Sequence, residues 1–260
     1  MAISIKSPKE IKALRKAGEL TAQALALLER EVRPGVSLLE LDKMAEDFIK
    51  SSHAKPAFKG LYGFPNSVCM SLNEVVIHGI PTDYVLQEGD IIGLDLGVEV
   101  DGYYGDSALT LPIGTISLQD EKLLACSKES LMHAISSIRV GMHFKELSQI
   151  LEGAIVERGF VPLKGFCGHG IGKKPHEEPE IPNYLEKGVK PNSGPKIKEG
   201  MVFCLEPMVC QKQGEPKILA DKWSVVSVDG LNTSHHEHTI AIVGNKAVIL
   251  TERQWQEMML

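Results

Sequence analysis

Apolar residues recur at three- and four-residue intervals in four stretches of the chain. "KEIKALRKAGELTAQALALLEREV" carries the first stripe, and Leu38, Leu41, Ala45 and Phe48 carry the second. "QDEKLLACSKESLMHAISSIRV" and then Phe144, Leu147, Leu151 and Ala154 repeat the pattern about a hundred residues later. Such spacing places the apolar side chains on one face of a helix. Between and after these pairs come short β-branched or apolar runs, "DIIGLDL", "MVFCL" and "HTIAIV" among them, of the kind that form buried strands. The predicted order is helix, helix, strands, and then the same again.

The repetition extends to particular residues. "RPGVSLLEL" from Arg33 and "RVGMHFKEL" from Arg139 share R-x-G and E-L at one spacing, with a glycine turn between the helices of each pair. "QEGDIIGLD" from Gln87 and "KEGMVFCLE" from Lys198 align as E-G, an apolar run, then an acid, which makes Asp95 and Glu206 equivalent positions. An internal repeat decides architecture before any motif does. It predicts an α/β (α+β) fold built from two helix-helix-strand halves, about 9–112 and 119–250, packed around a pseudo-two-fold axis in one domain spanning 1–260. Clefts between such halves are common ligand sites, and Asp95 and Glu206 would both point into this one.

With 260 residues, 43% of them hydrophobic, the chain can bury a sizeable core. A net charge of -6 argues against a surface that tracks nucleic-acid phosphates. The start has no apolar stretch of signal-peptide length, and no run approaches a membrane span, so the chain reads as cytoplasmic. Five cysteines without a C-x-x-C pair suit reduced thiols rather than a disulfide frame or zinc ribbon.

In "DIIGLDLGVEVDGYYGDSALTL", Asp101-Gly102 is a two-residue hairpin signal. That turn sets Asp106 opposite Gly97, with Asp95 diagonal to it, roughly 7 Å away on the same face. Two carboxylates there, flanked by Leu94, Leu96 and Ala108, are either solvated or neutralised by a cation, and no lysine lies in the hairpin. Glu206 in "FCLEPM" is brought beside Asp95 by the repeat, and Glu237 in "SHHEHTIAIVG" follows Asp229-Gly230 as Asp106 follows Asp101-Gly102. Four carboxylates with one imidazole suit divalent ions such as Mn, Fe or Co better than a sulfur-rich zinc site. His169, between glycines in "GHGIG", is the candidate imidazole, with a plain loop histidine as the other reading. His176 stands in a lysine-rich loop beside it, and His78 ends a strand-like run. His53, His133, His143, His235, His236 and His238 lie in polar clusters and read as structural or exposed.

Asp95, Asp106, His169, Glu206 and Glu237, set in "GLDLG", "GYYGD", "GHGIG", "HEEP", "CLEPM" and "EHTIAI", resemble the type I methionine aminopeptidases along nearly the whole chain. The resemblance implies the pita-bread fold of peptidase family M24 and removal of the initiator methionine from nascent polypeptides whose second residue is small. It implies two divalent ions (Co, Mn, Fe, Zn or Ni), with Asp106 and Glu237 bridging them, Asp95 chelating one, and His169 with Glu206 completing the other. A water between the ions would attack the scissile carbonyl, Glu206 would shuttle its proton, His176 would bind the carbonyl oxygen and His78 the scissile amide. Phe64, Cys69 and Trp223 would line the methionine pocket, and Asn73, Val75 and Thr233 would hold a monovalent cation. Partners would be the N-termini of nascent chains and the ribosome that delivers them, with no nucleic acid or membrane bound and the chain a monomer.

Two positions depart from the family pattern: Pro175 stands where a bulky aromatic often closes the pocket, and Leu61 where a tyrosine is common. The spacing of Glu206 and Glu237 leaves no room for the helical insertion of type II enzymes, and Met1-Ala2 is itself a start that such an enzyme would process. The rival readings are a non-catalytic pita-bread peptide-binding module, a proline-specific aminopeptidase with the same ligands, and a two-metal phosphoesterase. The first should have lost ligands, the second carries a large preceding domain, and the third needs no deep apolar slot.

Overall fold

The computed structural model describes residues 3–253; Met1 and Ala2 lie outside them. Helix α1 (Pro8–Glu31) starts where the Ser7 hydroxyl accepts the Glu10 N–H and the Glu10 carboxylate accepts the Ser7 N–H, with proline at the first helical position. Helix α2 (Leu38–Ser51) is capped in the same way by Ser37 and Glu40. Helices α3 (Leu118–Ser137) and α4 (Phe144–Glu157) form the second pair, α3 capped by Ser117 and α4 entered through His143 and Glu146. All four expected helices are present. Among the described residues no helix is long and apolar enough to cross a membrane.

The first half adds strands β1 (Lys55–Pro56), β2 (Cys69–Leu72), β3 (Val75–Ile77), β4 (Ile91–Val100) and β5 (Tyr103–Pro112). The second adds β6 (Val161–Pro162), β7 (Cys167–Gly170), β8 (Glu177–Pro182), β9 (Val202–Leu205), β10 (Met208–Cys210), β11 (Pro216–Ile218), β12 (Val225–Ser227), β13 (Thr233–His235), β14 (His238–Val243) and β15 (Lys246–Ile249). Strand β4 pairs with β1, β2 and β5, and the second half forms a sheet in the order β15-β14-β9-β7-β8. The β4-β5 hairpin turns at Asp101-Gly102 with Gly97 opposite Asp106 and Asp95 opposite Ala108, the register the turn signal predicts.

The duplication is visible bond by bond. Gly35 N–H donates to Leu86 C=O in one half and Gly141 N–H to Ile197 C=O in the other, both at 2.9 Å. Gly89 N–H to Ile113 C=O is repeated as Gly200 N–H to Ile242 C=O, again at 2.9 Å in each. Both Gly35 and Gly141 have positive φ, as a tight turn into the next helix requires. The first half packs α1 and α2 on β4 around Leu25, Leu28, Leu41, Leu94 and Leu96. The second packs α4 on β9 and β14 around Phe144, Leu147, Leu151, Phe203 and Ile240.

The seam between the halves is also symmetric, and it corrects one expectation. Thr239 Oγ1 accepts the Asp106 N–H at 3.1 Å and donates to the Asp106 C=O at 2.7 Å. Thr110 Oγ1 makes the same pair of bonds to His235, at 2.8 and 2.9 Å. The symmetry mate of Asp106 is therefore His235, and Glu237, whose N–H donates to the Ala108 C=O at 2.9 Å, is the mate of Ala108. Asp229-Gly230 is not the counterpart of Asp101-Gly102. It turns β12 toward β13, because the second half inserts β11 and β12 between β10 and β13, whose Met208–His235 pairing matches that of Gly97 with Asp106.

At Gly105 the backbone of β5 lies directly against that of α1. A Cβ on Gly105 would sit 2.6 Å from the Gly18 nitrogen and 2.7 Å from the Ala17 carbonyl carbon. Gly153 in α4 has open space around it. Gly105→Ala should lower the unfolding free energy by about 1–3 kcal/mol, whereas Gly153→Ala should raise it by roughly 0.5–1 kcal/mol. Urea unfolding of the two variants reads both signs, and a shift in the same direction would contradict this packing.

Candidate metal centre and peptide pocket

A cavity of about 490 Å³ opens at the seam. Asp95, Asp106, His169, Glu206 and Glu237 line it, as do His78, His176, Phe64, Cys69 and Trp223, so the structure brings together all the expected metal, catalytic and pocket positions. Asn73, Val75 and Thr233 lie elsewhere, on neighbouring strands and turns. Asn73 C=O accepts the Thr233 N–H at 3.0 Å and its hydroxyl at 3.4 Å, and Val75 pairs with Val226.

Each donor is placed by its backbone. Asp95 sits mid-strand in β4 between Cys69 of β2 and Ala108 of β5. His169 sits between Gly168 and Gly170, and a Cβ on either would approach a carbonyl oxygen to 2.4 or 2.1 Å, so only glycines let β7 lie close enough to present this ring. Glu206 follows β9, its C=O accepting from Asn183 Nδ2 at 2.9 Å. Glu237 precedes β14 and faces Glu206 by continuation of the β9-β14 register.

The electrostatics of this cluster call for protons or a cation. Asp95 Oδ1, Asp106 Oδ1, Glu206 Oε1 and Glu237 Oε1 are buried with no hydrogen-bond partner among the described residues. Burial pushes the Asp106 carboxyl up to about 7. Burial, followed by repulsion from neighbouring carboxylates, pushes Asp95, Glu206 and Glu237 well above the usual range. Burial, then His176, lowers His169 to about 3, so its ring is neutral. Nδ1 lies 3.0 Å from the Gly170 carbonyl and must carry the ring proton, which leaves Nε2 a bare lone pair 3.3 Å from Glu206 Oε1. Two acceptors at that distance need a positive species between them. Oxygen donors plus one neutral imidazole fit a divalent cation centre.

The apolar side of the cavity is a slot. Phe64 meets Trp223 edge-on with centroids 5.2 Å apart, and Phe58 and Cys69 pack beside them. His176 lies edge-on to His169 at 4.5 Å, and burial lowers its ring and that of His78, the latter to about 4. Tyr62 stacks over His176 at 6.0 Å. It thus supplies at the mouth the aromatic ring that Leu61 and Pro175 do not.

Two residues of the site were not legible in the sequence. Cys204 Sγ lies within 4.8 Å of donor atoms of Asp106, His169 and Glu237, and 3.4 Å from Thr239 Oγ1. His235, which the sequence groups with structural or exposed histidines, is 4% exposed, and its Nε2, without a hydrogen-bond partner among the described residues, lies 4.0 Å from Glu206 Oε2. Its place as symmetry mate of Asp106 is the signal that would have found it. His236 and His238 are structural, both buried, with their Nδ1 atoms held by Ser127 at 2.7 Å and Thr251 at 2.9 Å. They face away from the cavity because strand side chains alternate about Glu237.

Comparison with known proteins identifies the family and the fold. The model of metallopeptidase family M24 matches residues 12–243. A methionine aminopeptidase from Helicobacter pylori is 98% identical over 253 residues, covering 97% of this chain and 100% of that one. The crystal structure of methionine aminopeptidase from Thermotoga maritima superposes with a TM-score of 0.93 at 36% identity, covering 97% of this chain and 100% of that one. A prolidase from Pyrococcus furiosus superposes at 0.78 with 26% identity, covering 96% of this chain but 66% of its own, so the pita-bread fold alone does not choose the substrate. The chain belongs to metallopeptidase family M24, and within that family to the methionine aminopeptidases.

Proposed function

We propose that the chain removes the initiator methionine from nascent polypeptides with a small second residue, using two divalent ions held by Asp95, Asp106, His169, Glu206 and Glu237. The observation that carries this reading is the convergence of four buried carboxylates, each with an orphaned oxygen, on one neutral imidazole beside an apolar slot. Asp95, Asp106, Glu206 and Glu237 would hold the ions through carboxylate oxygens, and His169 through its bare Nε2. Bound there, divalent ions (Mn, Fe, Co, Zn or Ni) supply Lewis acidity and lower the pKa of water to near neutrality.

The remaining steps belong to the chain's own residues. Glu206, as the carboxylate, takes a proton from the attacking water and delivers it to the leaving nitrogen. His176, neutral and at the mouth, donates to the scissile oxygen as it becomes negative, and His78 binds the scissile amide. Phe64, Cys69 and Trp223 hold the flexible thioether in the slot. Asn73, Val75 and Thr233 would share a monovalent cation that ties β3 to β13. The halves 9–112 and 119–250 act as one catalytic domain, since Asp95 and Asp106 come from the first and the other three donors from the second. All five lie on one chain, so a monomer suffices. Cytoplasmic placement follows from the substrate, and all five cysteines are free thiols.

The direct test uses chelator-stripped protein. Added Mn or Co should restore methionine release from Met-Ala-Ser but not cleavage of Ala-Pro-Ala, and Asp106→Asn should abolish it. His176→Ala should lower kcat by roughly 100- to 1,000-fold. Folded protein that cleaves neither peptide with any ion would favour a peptide-binding module, and cleavage of Ala-Pro-Ala would favour the proline-specific reading.

A stability measurement reads the same carboxylates without turnover. Their folded-state pKa values are raised, so between the unfolded carboxylate range near about 4 and the value of about 7 for Asp106 the folded chain holds protons the unfolded chain has lost. Without ions, stability must therefore fall as pH rises through that window. Bound divalent cations replace those protons. The rise in Tm on adding Mn should be larger at about pH 7.5 than at about pH 5, and equal shifts at both would contradict the cluster.

A further inference from the structure

His176 owes its position to a loop, and the loop is tied to a distant part of the chain. The segment between β7 and β8 crosses the cavity mouth and is held at Gly172, whose C=O accepts the Tyr104 N–H at 3.1 Å. Its tip is held by Glu177, the residue next to His176. Glu177 Oε1 accepts the Lys173 N–H at 2.9 Å and the Lys174 N–H at 3.3 Å. Its other oxygen, Oε2, accepts from Lys6 Nζ at 2.5 Å. Lys6 lies in the strap before α1, and its N–H donates to Gly200 C=O at 2.7 Å.

The pair is enclosed, with the Lys6 side chain 5% exposed and that of Glu177 17%. Space is reserved for it: a Cβ on Gly172 would lie 2.4 Å from Lys6 Nζ and 2.6 Å from Glu177 Oε1. Buried ion pairs contribute little net stability, and their best-attested use is to fix one arrangement among several. Here the arrangement fixed is that of a loop bearing a group that must meet the scissile oxygen.

We propose that Lys6 and Glu177 are positioning residues for His176: the strap before α1 locks the β7-β8 loop and so sets where the His176 ring meets the substrate. The proposal rests on the reading of His176 given above. Its sharpest test is a double-mutant cycle on metal-loaded protein with Met-Ala-Ser. Lys6→Met should lower kcat by roughly 10- to 100-fold with KM within about twofold, because the methionine slot and the ion-binding carboxylates stay in place. In the His176→Ala background the same change should alter kcat by less than about twofold, since coupled residues are not additive. An equal loss in both backgrounds, or no loss in the native one, would overturn the proposal.

Glu177→Gln, which keeps an acceptor for the loop N–H groups while removing the charge, gives the same reading should Lys6→Met fold poorly. Amide hydrogen exchange separates this idea from the proposed function. Lys6→Met should speed exchange at Lys173 and Lys174 whether or not the chain is active, and unchanged exchange there would overturn the proposal. An inactive native chain with slow loop exchange that Lys6→Met accelerates would count against the catalytic reading alone.

Discussion

Asp95, Asp106, Glu206 and Glu237 are buried together with no protein cation among them in the described residues, and much of the surrounding structure answers that constraint. Two unit charges 4 Å apart interact by about 4 kcal/mol at an effective dielectric of 20, so four carboxylates cannot all ionise there unaided. Either protons or metal ions must fill the space. The neutral His169 ring, with its bare nitrogen turned toward Glu206, and the Cys204 thiol beside Glu237 both add ligating atoms around that space rather than charge to balance it. A site built this way gives up folding stability in its ion-free form in exchange for tight binding of the group that does the chemistry.

Gene duplication provides the frame but not the full ligand set. Asp95 and Glu206 are true counterparts, one at each end of the symmetry. Asp106 and Glu237 are not: Asp106 is mirrored by His235 and Glu237 by Ala108. The two threonines that grip the backbones of Asp106 and His235 keep the seam symmetric, while the paired side chains have diverged: each strand keeps one acid, Asp106 or Glu237, opposite His235 or Ala108. The inserted strands of the second half bring Trp223 to the slot, which turns a symmetric cation cradle into a pocket with one open end for the peptide.

Much of this was legible before the structure. A single Asp101-Gly102 turn places Asp95 and Asp106 on one face, because strand register follows from the turn that closes it. The repeated E-G-apolar-acid run pairs Asp95 with Glu206. What escaped was what depends on distant parts of the chain. His235 looked like one of three histidines in a polar cluster, and only the seam shows that it faces the cavity while its neighbours face away. Cys204 looked like a small core residue, which it also is. Lys6 and Glu177 have no local pattern to join them, and the Asp229-Gly230 turn resembled a hairpin turn while serving an inserted one. Tyr62 shows the same limit, since the aromatic ring over His176 comes from the position next to the expected one.

The most direct measurement of the central claim is anomalous diffraction from crystals grown with Mn. The account predicts two peaks roughly 3.5–4 Å apart within the cavity, with Asp106 and Glu237 touching both, Asp95 one, and His169 and Glu206 the other. A single peak that leaves two of the carboxylates without a cation, or peaks away from the seam, would contradict it.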